Sequence, residues 1–484
     1  MVYSTDFLTI LLKQGYSQDK IITHISTHNQ NHFGWSISGD NGYIGVSDPR
    51  DSIHHYANGC VNIYKKNSNN WDYLQTLQNP DLKPYDFFGH RTCMFGNYLA
   101  VSSIGDNIMG FMSGAVHIFH LENGLWKYDQ TLREDIQGEK MQYGESLFLN
   151  DKYLVVGAPG AYNTGVVYVY GLLNTTFHPL QKITNPYPLN MQFGKSVTMT
   201  GDQLIIGAPS ANMAMYKGTV FIYDKKSIHW EKTSEIQPDD EDYGALFGFS
   251  ISAEKNKLLI SAPHANLKAN GNEELYFSGK VFYFKNMNGK WTKEKEFSNP
   301  EPSSHDLFGS DVLISDSILY ISAPKDDVEE KNEGTVFIYQ YKNGAWEDAE
   351  LTNDEENEHE YFSNSFYVFD RHLFVGSAGA RDEKNRGRIF YYDVTKVLNV
   401  SSEEMHAEPV ITFYPNPADR TIKVSGNNNS YRLKICSTDG KIHMEKSLKG
   451  DKEIDVSNLS EGLYIVSLIM NDYILTEELI IQHR

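Results

Sequence analysis

Residues Gly194–Tyr223 read GKSVTMTGDQLIIGAPSANMAMYKGTVFIY. Phe193-Gly194 leads in, an apolar run stops at Gly207-Ala208-Pro209, and Gly218 opens a Val-Phe-Ile-Tyr run. The same sentence recurs along the chain. Aromatic-Gly pairs stand at Phe33-Gly34, Phe88-Gly89, Tyr143-Gly144, Phe193-Gly194, Phe247-Gly248 and Phe308-Gly309, with a degraded seventh copy at Phe362-Ser363. Successive spacings are 55, 55, 50, 54, 61 and 54 residues. Small-residue stops follow, as at Gly157-Ala158-Pro159, Ser261-Ala262-Pro263 and Ser322-Ala323-Pro324. A glycine then opens each third run: Gly59, Gly114, Gly165, Gly218, Gly279, Gly334 and Gly387. Five of the six tryptophans, Trp71, Trp126, Trp230, Trp291 and Trp346, open a fourth run.

Each copy therefore reads as four short strands. The first is small and mixed (Ser196–Thr200, Ser250–Ala253), and the second is almost wholly apolar (Tyr153–Val156, Leu204–Ile206), so both of its faces are buried. Proline ends the second strand because it has no N–H for the ladder. The third is apolar again (Val220–Tyr223, Val336–Tyr339). The fourth alternates, with Trp71, Tyr73 and Leu77 expected on one face and Asp72, Leu74 and Thr76 on the other.

A four-stranded antiparallel unit repeated in this way is a propeller blade, and ringed neighbours bury one another's faces. The expected fold is all-β: a seven-bladed propeller over residues 1–392, a polar linker over 393–409, and a small Ig-like β-sandwich over 410–484. The last copy lacks a Trp strand, and Lys20–Ser26 stands where a fourth strand is missing. That stretch is expected to complete the last blade and remove two open edges.

The Phe-Gly, Gly-Ala-Pro and Gly-x-Val-x-x-Tyr motifs resemble FG-GAP repeats, the repeats of the integrin α-subunit propeller. Calcium-binding members carry an Asp-x-Asp-x-Asp-Gly loop before the Gly-Ala-Pro strand. Here the turns are Gly96-Asn97-Tyr98, Asn150-Asp151-Lys152, Gly201-Asp202-Gln203 and Ser315-Asp316-Ser317, each with at most one carboxylate. Calcium takes about six to eight oxygens. The chain resembles the calcium-free branch, and no cofactor is expected.

Residues 410–484 carry turn-separated strands at Ile411–Tyr414, Thr421–Val424, Tyr431–Cys436, Lys441–Lys446, Glu453–Val456, Leu463–Leu468 and Ile474–Ile481. Tyr414-Pro415-Asn416-Pro417, Asp439-Gly440-Lys441 and Gly462-Leu463-Tyr464 closely resemble the sorting domain (type A) of type IX secretion cargo in the Bacteroidota. The resemblance implies export across the outer membrane, with the secretion machinery as partner and the product secreted or held on the cell surface. Such cargo carries a signal peptide. The start, MVYSTDFLTILLKQGYSQDK, has no basic segment before its apolar patch and no cleavage site, so a trimmed or mis-set start is expected.

Net charge is −20, and residues 410–484 hold 9 Lys+Arg against 10 Asp+Glu, so 34 basic and 53 acidic residues fall in 1–409. That balance disfavours nucleic acid and anionic membrane as partners. No run approaches the roughly 18 apolar residues of a membrane helix. Three scattered cysteines, Cys60, Cys93 and Cys436, form no disulfide framework; Cys60 and Cys93 read as buried thiols in strands.

Loops after second and fourth strands share one face. Acidic stretches there, with Asp239, Asp240, Asp242, Asp326, Asp327 and Glu329, and residues 353–360, form a solvated rim or a surface for a cation or a basic partner. Two long loops, Asp48–Asn58 with His54 and His55, and His264–Ser278, lie on the same face, as does Ser210–Lys217. There is no Gly-x-Ser-x-Gly, HExxH or phosphate loop. The leading expectation is a non-enzymatic binding module for protein or glycan. The alternatives are a polysaccharide hydrolase or lyase using acidic residues at the channel mouth, and a structural surface protein. Converging carboxylates in a pocket would favour the enzyme, and exposed aromatics on a flat loop face would favour binding.

Overall fold

The computed structural model describes residues 20–23, 32–52, 55–67, 70–134, 138–188, 191–209, 217–238, 244–268, 274–326, 334–342, 344–352, 362–369, 371–378, 387–394, 412–414, 417–425, 430–437, 441–450, 452–469 and 474–483. The chain divides into two units, Met1–Leu398 and Asn399–Arg484.

In the first unit the described strands form seven four-stranded antiparallel sheets. The fourth runs Ser196–Thr200, Gln203–Ala208, Thr219–Lys226, His229–Ile236 from inside to outside. Its second strand stops at Ala208, immediately before Pro209. Consecutive residues of that strand enter different cores, because strand side chains alternate in direction. Leu204 and Ile206 pack with Val155, Val167 and Val169 of the preceding sheet. Ile205 packs with Leu258, Ile260 and Phe282 of the following one. A strand buried on both faces must be apolar throughout, which is why this run has no period of two.

The Phe-Gly pairs set the spacing between sheets. The aromatic rings at Phe33, Phe88, Tyr143, Phe193, Phe247, Phe308 and Phe362 are fully buried. The backbone of Phe247 passes so close to Gly218 that a Cβ there would lie 2.2 Å from the Phe247 carbonyl oxygen. Only glycine allows that approach. At the closing junction a Cβ on Gly387 would lie 1.9 Å from Phe33 O. In the degraded copy, Ser363 keeps the left-handed conformation of its glycine counterparts, with φ of 72° against 89° at Gly194.

The tryptophans are wedges between sheets. Trp126 meets Tyr43 edge-on at 5.8 Å, Trp230 meets Tyr153 at 5.0 Å, Trp346 meets Tyr283 at 5.3 Å, and Trp71 meets Phe374 of the last sheet at 5.3 Å. The third sheet uses Phe177 against Tyr98 at 5.5 Å.

The ring closes as the sequence leads one to expect. Lys20–Thr23 pairs antiparallel with Arg388–Asp393 and becomes the outermost strand of the seventh sheet. Ile22 joins Phe33, Ile44, Phe374 and Tyr391 in the core between last and first sheets. The innermost strands Ile37–Asp40 and Phe362–Phe369 pack together there. Residues 24–26 of the expected strand lie outside the described residues.

Three expectations need correction. The outer strand does not alternate through its length. Its register shifts between Ile63/Tyr64, so that Tyr64 faces Tyr73 while Ile63 faces Gln75. Leu74 is the extra, bulged residue, and Leu77 falls on the face opposite Trp71 and Tyr73. Tyr73 is exposed and Leu77 is buried. Next, Asp393 closes the strand Arg388–Asp393 and the Val394 N–H donates to Arg371 O, so these two residues belong to the last sheet rather than to the linker. Finally, the stretch His264–Ser278 contains a small hairpin, with Leu267 facing Leu275.

The second unit has a three-stranded sheet (Thr412–Tyr414, Thr421–Ser425, Lys452–Asp455) and a four-stranded one (Ser430–Ser437, Ile442–Lys449, Gly462–Ile469, Ile474–Ile481). Ile422, Val424 and Ile454 of the first pack with Leu433, Ile435, Val466 and Leu468 of the second. The expected strands are present, each within three residues at its ends.

Candidate functional site

An up-and-down blade puts its second-to-third loop and its exit loop on one face of the ring, and backbone bonds tie these loops together between neighbours. Tyr85 N donates to Tyr56 O at 2.9 Å, Lys140 N to Phe111 O at 2.7 Å, and His305 N to Tyr276 O at 2.8 Å. This face presents aromatic side chains to solvent: Tyr56, Tyr85, Phe111, Tyr162 and Tyr276 are each 48–64% exposed. Tyr56 and Tyr85 lie 5.2 Å apart. Lys182 Nζ sits 4.6 Å from the Tyr162 ring centre and donates to its hydroxyl at 2.8 Å.

The residues following the Phe-Gly pairs begin the innermost strands, at the channel mouth on that face. Five of them, with His32, form one continuous belt. His32 stacks on Trp35 at 5.5 Å, and Trp35 meets His90 at 6.0 Å. His90 Nε2 lies 3.1 Å from Glu145 Oε2, and Lys195 Nζ donates to Glu145 Oε1 at 2.5 Å. Lys195 then lies over Phe249, 5.0 Å from its centre. Burial opposes ionisation of Glu145, but Lys195, His90 and Arg91 outweigh it and hold the carboxyl far below its usual range. Burial keeps His90 below its ordinary value despite the Glu145 hydrogen bond, so the imidazole is neutral near pH 7.

One residue further along, the side chains stitch blade to blade. Ser146 Oγ donates to Gly194 O at 2.8 Å, Ser196 Oγ to Gly248 O at 2.8 Å, and Ser365 Oγ to Gly34 O at 2.6 Å. Ser36 Oγ accepts from Thr92 N at 3.0 Å, and Ser250 Oγ donates to Asp311 Oδ1 at 2.9 Å. Two blades depart from serine: the second carries Arg91 and the sixth Asp311. All seven innermost strands enclose a cavity of about 200 Å³ that both residues line.

The acidic rim is placed differently from expectation where it can be seen. Asp326 is buried, not solvated, and accepts from Asn299 Nδ2 at 2.8 Å; the same amide donates to Asp306 Oδ2 at 2.8 Å. A carboxylate two residues past Ala-Pro lies under the loop and cannot join a surface cation site. Asp239, Asp240, Asp242, Asp327, Glu329 and residues 353–360 lie outside the described residues, as do His54 and Ser210–Tyr216. His55 is exposed. Among the described residues no group of three His, Cys, Asp or Glu side chains is placed to hold a metal ion. The channel mouth, where acidic residues would have to act in hydrolysis, holds Glu145, bound by Lys195 and His90, and Asp311, which accepts from Ser250 Oγ and Val312 N.

Of the sorting motif, Tyr414 ends the strand Thr412–Tyr414 opposite Lys423, Pro417 and Lys441 are exposed, and Gly462 opens the strand Gly462–Ile469. Tyr464 is buried, and its hydroxyl donates to Ser460 O at 3.0 Å. Pro415, Asn416 and Gly440 lie outside the described residues. Burial pushes the Cys93 thiol up to about 12 and the Cys60 thiol well above its ordinary value, which suits inert thiols.

The belt and the Arg91/Asp311 substitution escaped the sequence reading. Their signal is positional: aligning the seven copies shows the residue after Phe-Gly varying freely and the next one fixed as serine in all but two.

Two protein-family models match the chain. Residues 291–339 match the FG-GAP repeat, and residues 412–482 match the secretion system C-terminal sorting domain. Among curated protein sequences none matches the chain. PorZ, a surface component of the type IX secretion system of Porphyromonas gingivalis, is a similar solved structure at 11% identity and a TM-score of 0.45, with 96% of this chain covered. The chain spans 61% of PorZ's length. The β-propeller domain of the Trilobed protease from Pyrococcus furiosus matches at 10% identity and 0.46, covering 78% of this chain and 99% of that one. A putative 6-phosphogluconolactonase from Bacteroides uniformis matches at 12% and 0.45, covering 66% and 86%. Among the described residues no helix is long and apolar enough to cross a membrane. The chain thus carries an FG-GAP repeat within its β-propeller and, at its C-terminal end, a secretion sorting domain of the kind that marks type IX export.

Proposed function

We propose that the exported propeller is a binding module that docks protein or glycan on its loop face and performs no reaction of its own. The observation that carries this is the set of aromatic side chains exposed on that face, among them the Tyr56–Tyr85 pair in ring contact. Large amphipathic rings in water are the surface that binding partners use, since each supplies apolar area and a polar edge at low entropic cost. Tyr85 follows Pro84 and is bonded through its N–H to Tyr56 O, so the two rings are held ready before a ligand arrives. Glycan and protein arrays probed with the full chain test the reading. Tyr56→Ala combined with Tyr85→Ala is expected to abolish the strongest signals while the melting temperature stays unchanged. Signals that survive this double substitution, together with Phe111→Ala and Tyr162→Ala, would remove the loop face as the docking surface.

A further inference from the structure

The channel cavity has an imbalance that the fold does not explain. Its serine hydroxyl protons are committed to the neighbouring blade, at Ser146, Ser196 and Ser365, so inward these groups offer only lone pairs. Lys195 is committed to Glu145. Arg91 is engaged only at Nε, by the Glu145 carbonyl oxygen at 3.3 Å. Its two terminal nitrogens have no hydrogen-bond partner among the described residues, and neither does the amide of Asn364, which lines the same cavity. Across the ring, Asp311 takes Ser250 Oγ and Val312 N on Oδ1. It attracts Arg91 without pairing to it. Burial holds the Asp311 carboxyl above its ordinary value.

The Arg91 fork opens on the cavity instead of on a protein acceptor, and its natural complement is a planar oxyanion bound through two parallel N–H···O bonds. Glu145 and Asp311 flank the site, and their negative charge disfavours a second negative charge on the ligand. That selects a carboxylate over a phosphate or sulfate dianion. The cavity of about 200 Å³ holds roughly six waters at ~30 Å³ each, the size of one small acid. The serine lone pairs, the Asp311 carboxyl and the Asn364 amide suit hydroxyl groups next to the carboxylate. We infer that the channel mouth is a receptor for the carboxylate of a small hydroxy acid or sugar acid, held by the Arg91 fork and oriented by Asp311 and Asn364. This site is separate from the loop aromatics, so each of the two proposals can fail without the other.

Isothermal titration calorimetry on the full chain tests it, with sodium lactate, glucuronate, glucose and phosphate as probes. Lactate or glucuronate is expected to bind at millimolar or lower concentration, with glucose and phosphate far weaker. Arg91→Gln is expected to weaken the acid at least about tenfold, and Asp311→Asn to tighten it. Arg91→Lys keeps the charge but loses the fork; it is expected to bind weakly, and it serves as the test variant if Arg91→Gln does not fold. The Tyr56→Ala/Tyr85→Ala variant is expected to bind the acid unchanged. Displacement of lactate by a glucuronate-terminated disaccharide would mark a chain end as the source, and failure to displace would mark a free acid; either accords with the site. No acid binding, phosphate binding as tight as the acids, or an affinity indifferent to Arg91 would overturn the proposal.

Discussion

Gln75 and Trp126 hold the first and second blades together by a two-way clasp: Gln75 Nε2 donates to Trp126 O at 2.9 Å, and Trp126 N donates to Gln75 Oε1 at 2.9 Å. Gln130 does the same to Phe177, at 3.1 and 2.7 Å, and Gln181 to Trp230, at 2.9 and 2.7 Å. Each glutamine directly follows the bulged residue of its outer strand. The bulge turns the side chain out of its own ladder toward the next blade. At the same place the fourth and fifth outer strands carry Ser234 and Lys295, and the sixth, which has no bulge, sets Ala349 opposite Ile338. Among the described residues this two-way glutamine clasp joins the first four blades only.

Gln130→Ala removes both bonds of one clasp and leaves the Phe177 backbone without its partner. It is expected to cost about 1–3 kcal/mol, at 0.5–1.5 kcal/mol for each hydrogen bond. Ser234→Ala, at the equivalent and exposed position of the fourth blade, is expected to stay within about 0.5 kcal/mol. Urea unfolding of the two variants checks the contrast.

Ser363 holds a glycine conformation with a side chain attached. Its φ of 72° is unfavourable for an L-residue, and its buried Oγ has no hydrogen-bond partner among the described residues. Ser363→Gly relieves both faults and is expected to stabilise the ring by about 1–2 kcal/mol, against the added freedom glycine gives the unfolded chain. Gly194→Ser makes the reverse change at an intact copy, where a Cβ would lie 2.9 Å from Val166 O, and is expected to destabilise. Thermal melts of both read the opposite signs.

Three buried carboxyls make stability depend on pH. Burial pushes Asp48 up to about 7 and Asp86 and Asp326 up to about 6, and the neighbouring carboxyls of Asp51, Asp106 and Asp306 add to the effect. Each group is raised in the folded state, so its contribution is fully present below about pH 4 and is lost as pH rises through 6 to 7. Glu145 acts in the other direction: its depressed carboxyl stabilises above about pH 4 and loses that effect in strong acid. Burial lowers His32 and His117 to about 4 and lowers His90 and His264 as well, and these act in the opposite direction up to about pH 6.5, so the carboxyl effect is read by difference: Asp326→Asn, which keeps a polar partner for Asn299, is expected to gain melting temperature relative to the parent chain as pH rises from 5 to 7.5. A difference between variant and parent that stays constant over this interval would contradict the burial of Asp326 in its neutral form.

Deleting residues 1–27 removes Lys20–Thr23 and exposes the edge of Arg388–Asp393. The expected result is a lower, broader melting transition and concentration-dependent association through the open edge. Cooperative melting unchanged from the full chain would show that the strand is dispensable.

The architecture was legible because each repeated motif answers a backbone constraint. Gly218 must be glycine since the Phe247 carbonyl lies against it, and Pro209 stops a strand wherever it stands. Such constraints act inside one repeat and recur in all of them. The bulge at Leu74 left no trace in hydropathy, since a one-residue shift changes which face a side chain joins without changing the residues. Asp326 read as surface because it is charged, while its cover comes from Asn299 in the preceding blade's exit loop. The channel belt was invisible for a related reason: Glu145 meets Lys195 across 50 residues, and position in a repeat, not proximity in sequence, brings them together.

The pairing of Lys20–Thr23 with Arg388–Asp393 also sets an order of events. No blade-seven sheet can be completed until the chain has been delivered through residue 393, so every shorter fragment keeps an unzipped seam between its first and last blades. The sorting domain follows that point in the chain. A molecule that carries its sorting domain has therefore already supplied every strand its ring needs to shut.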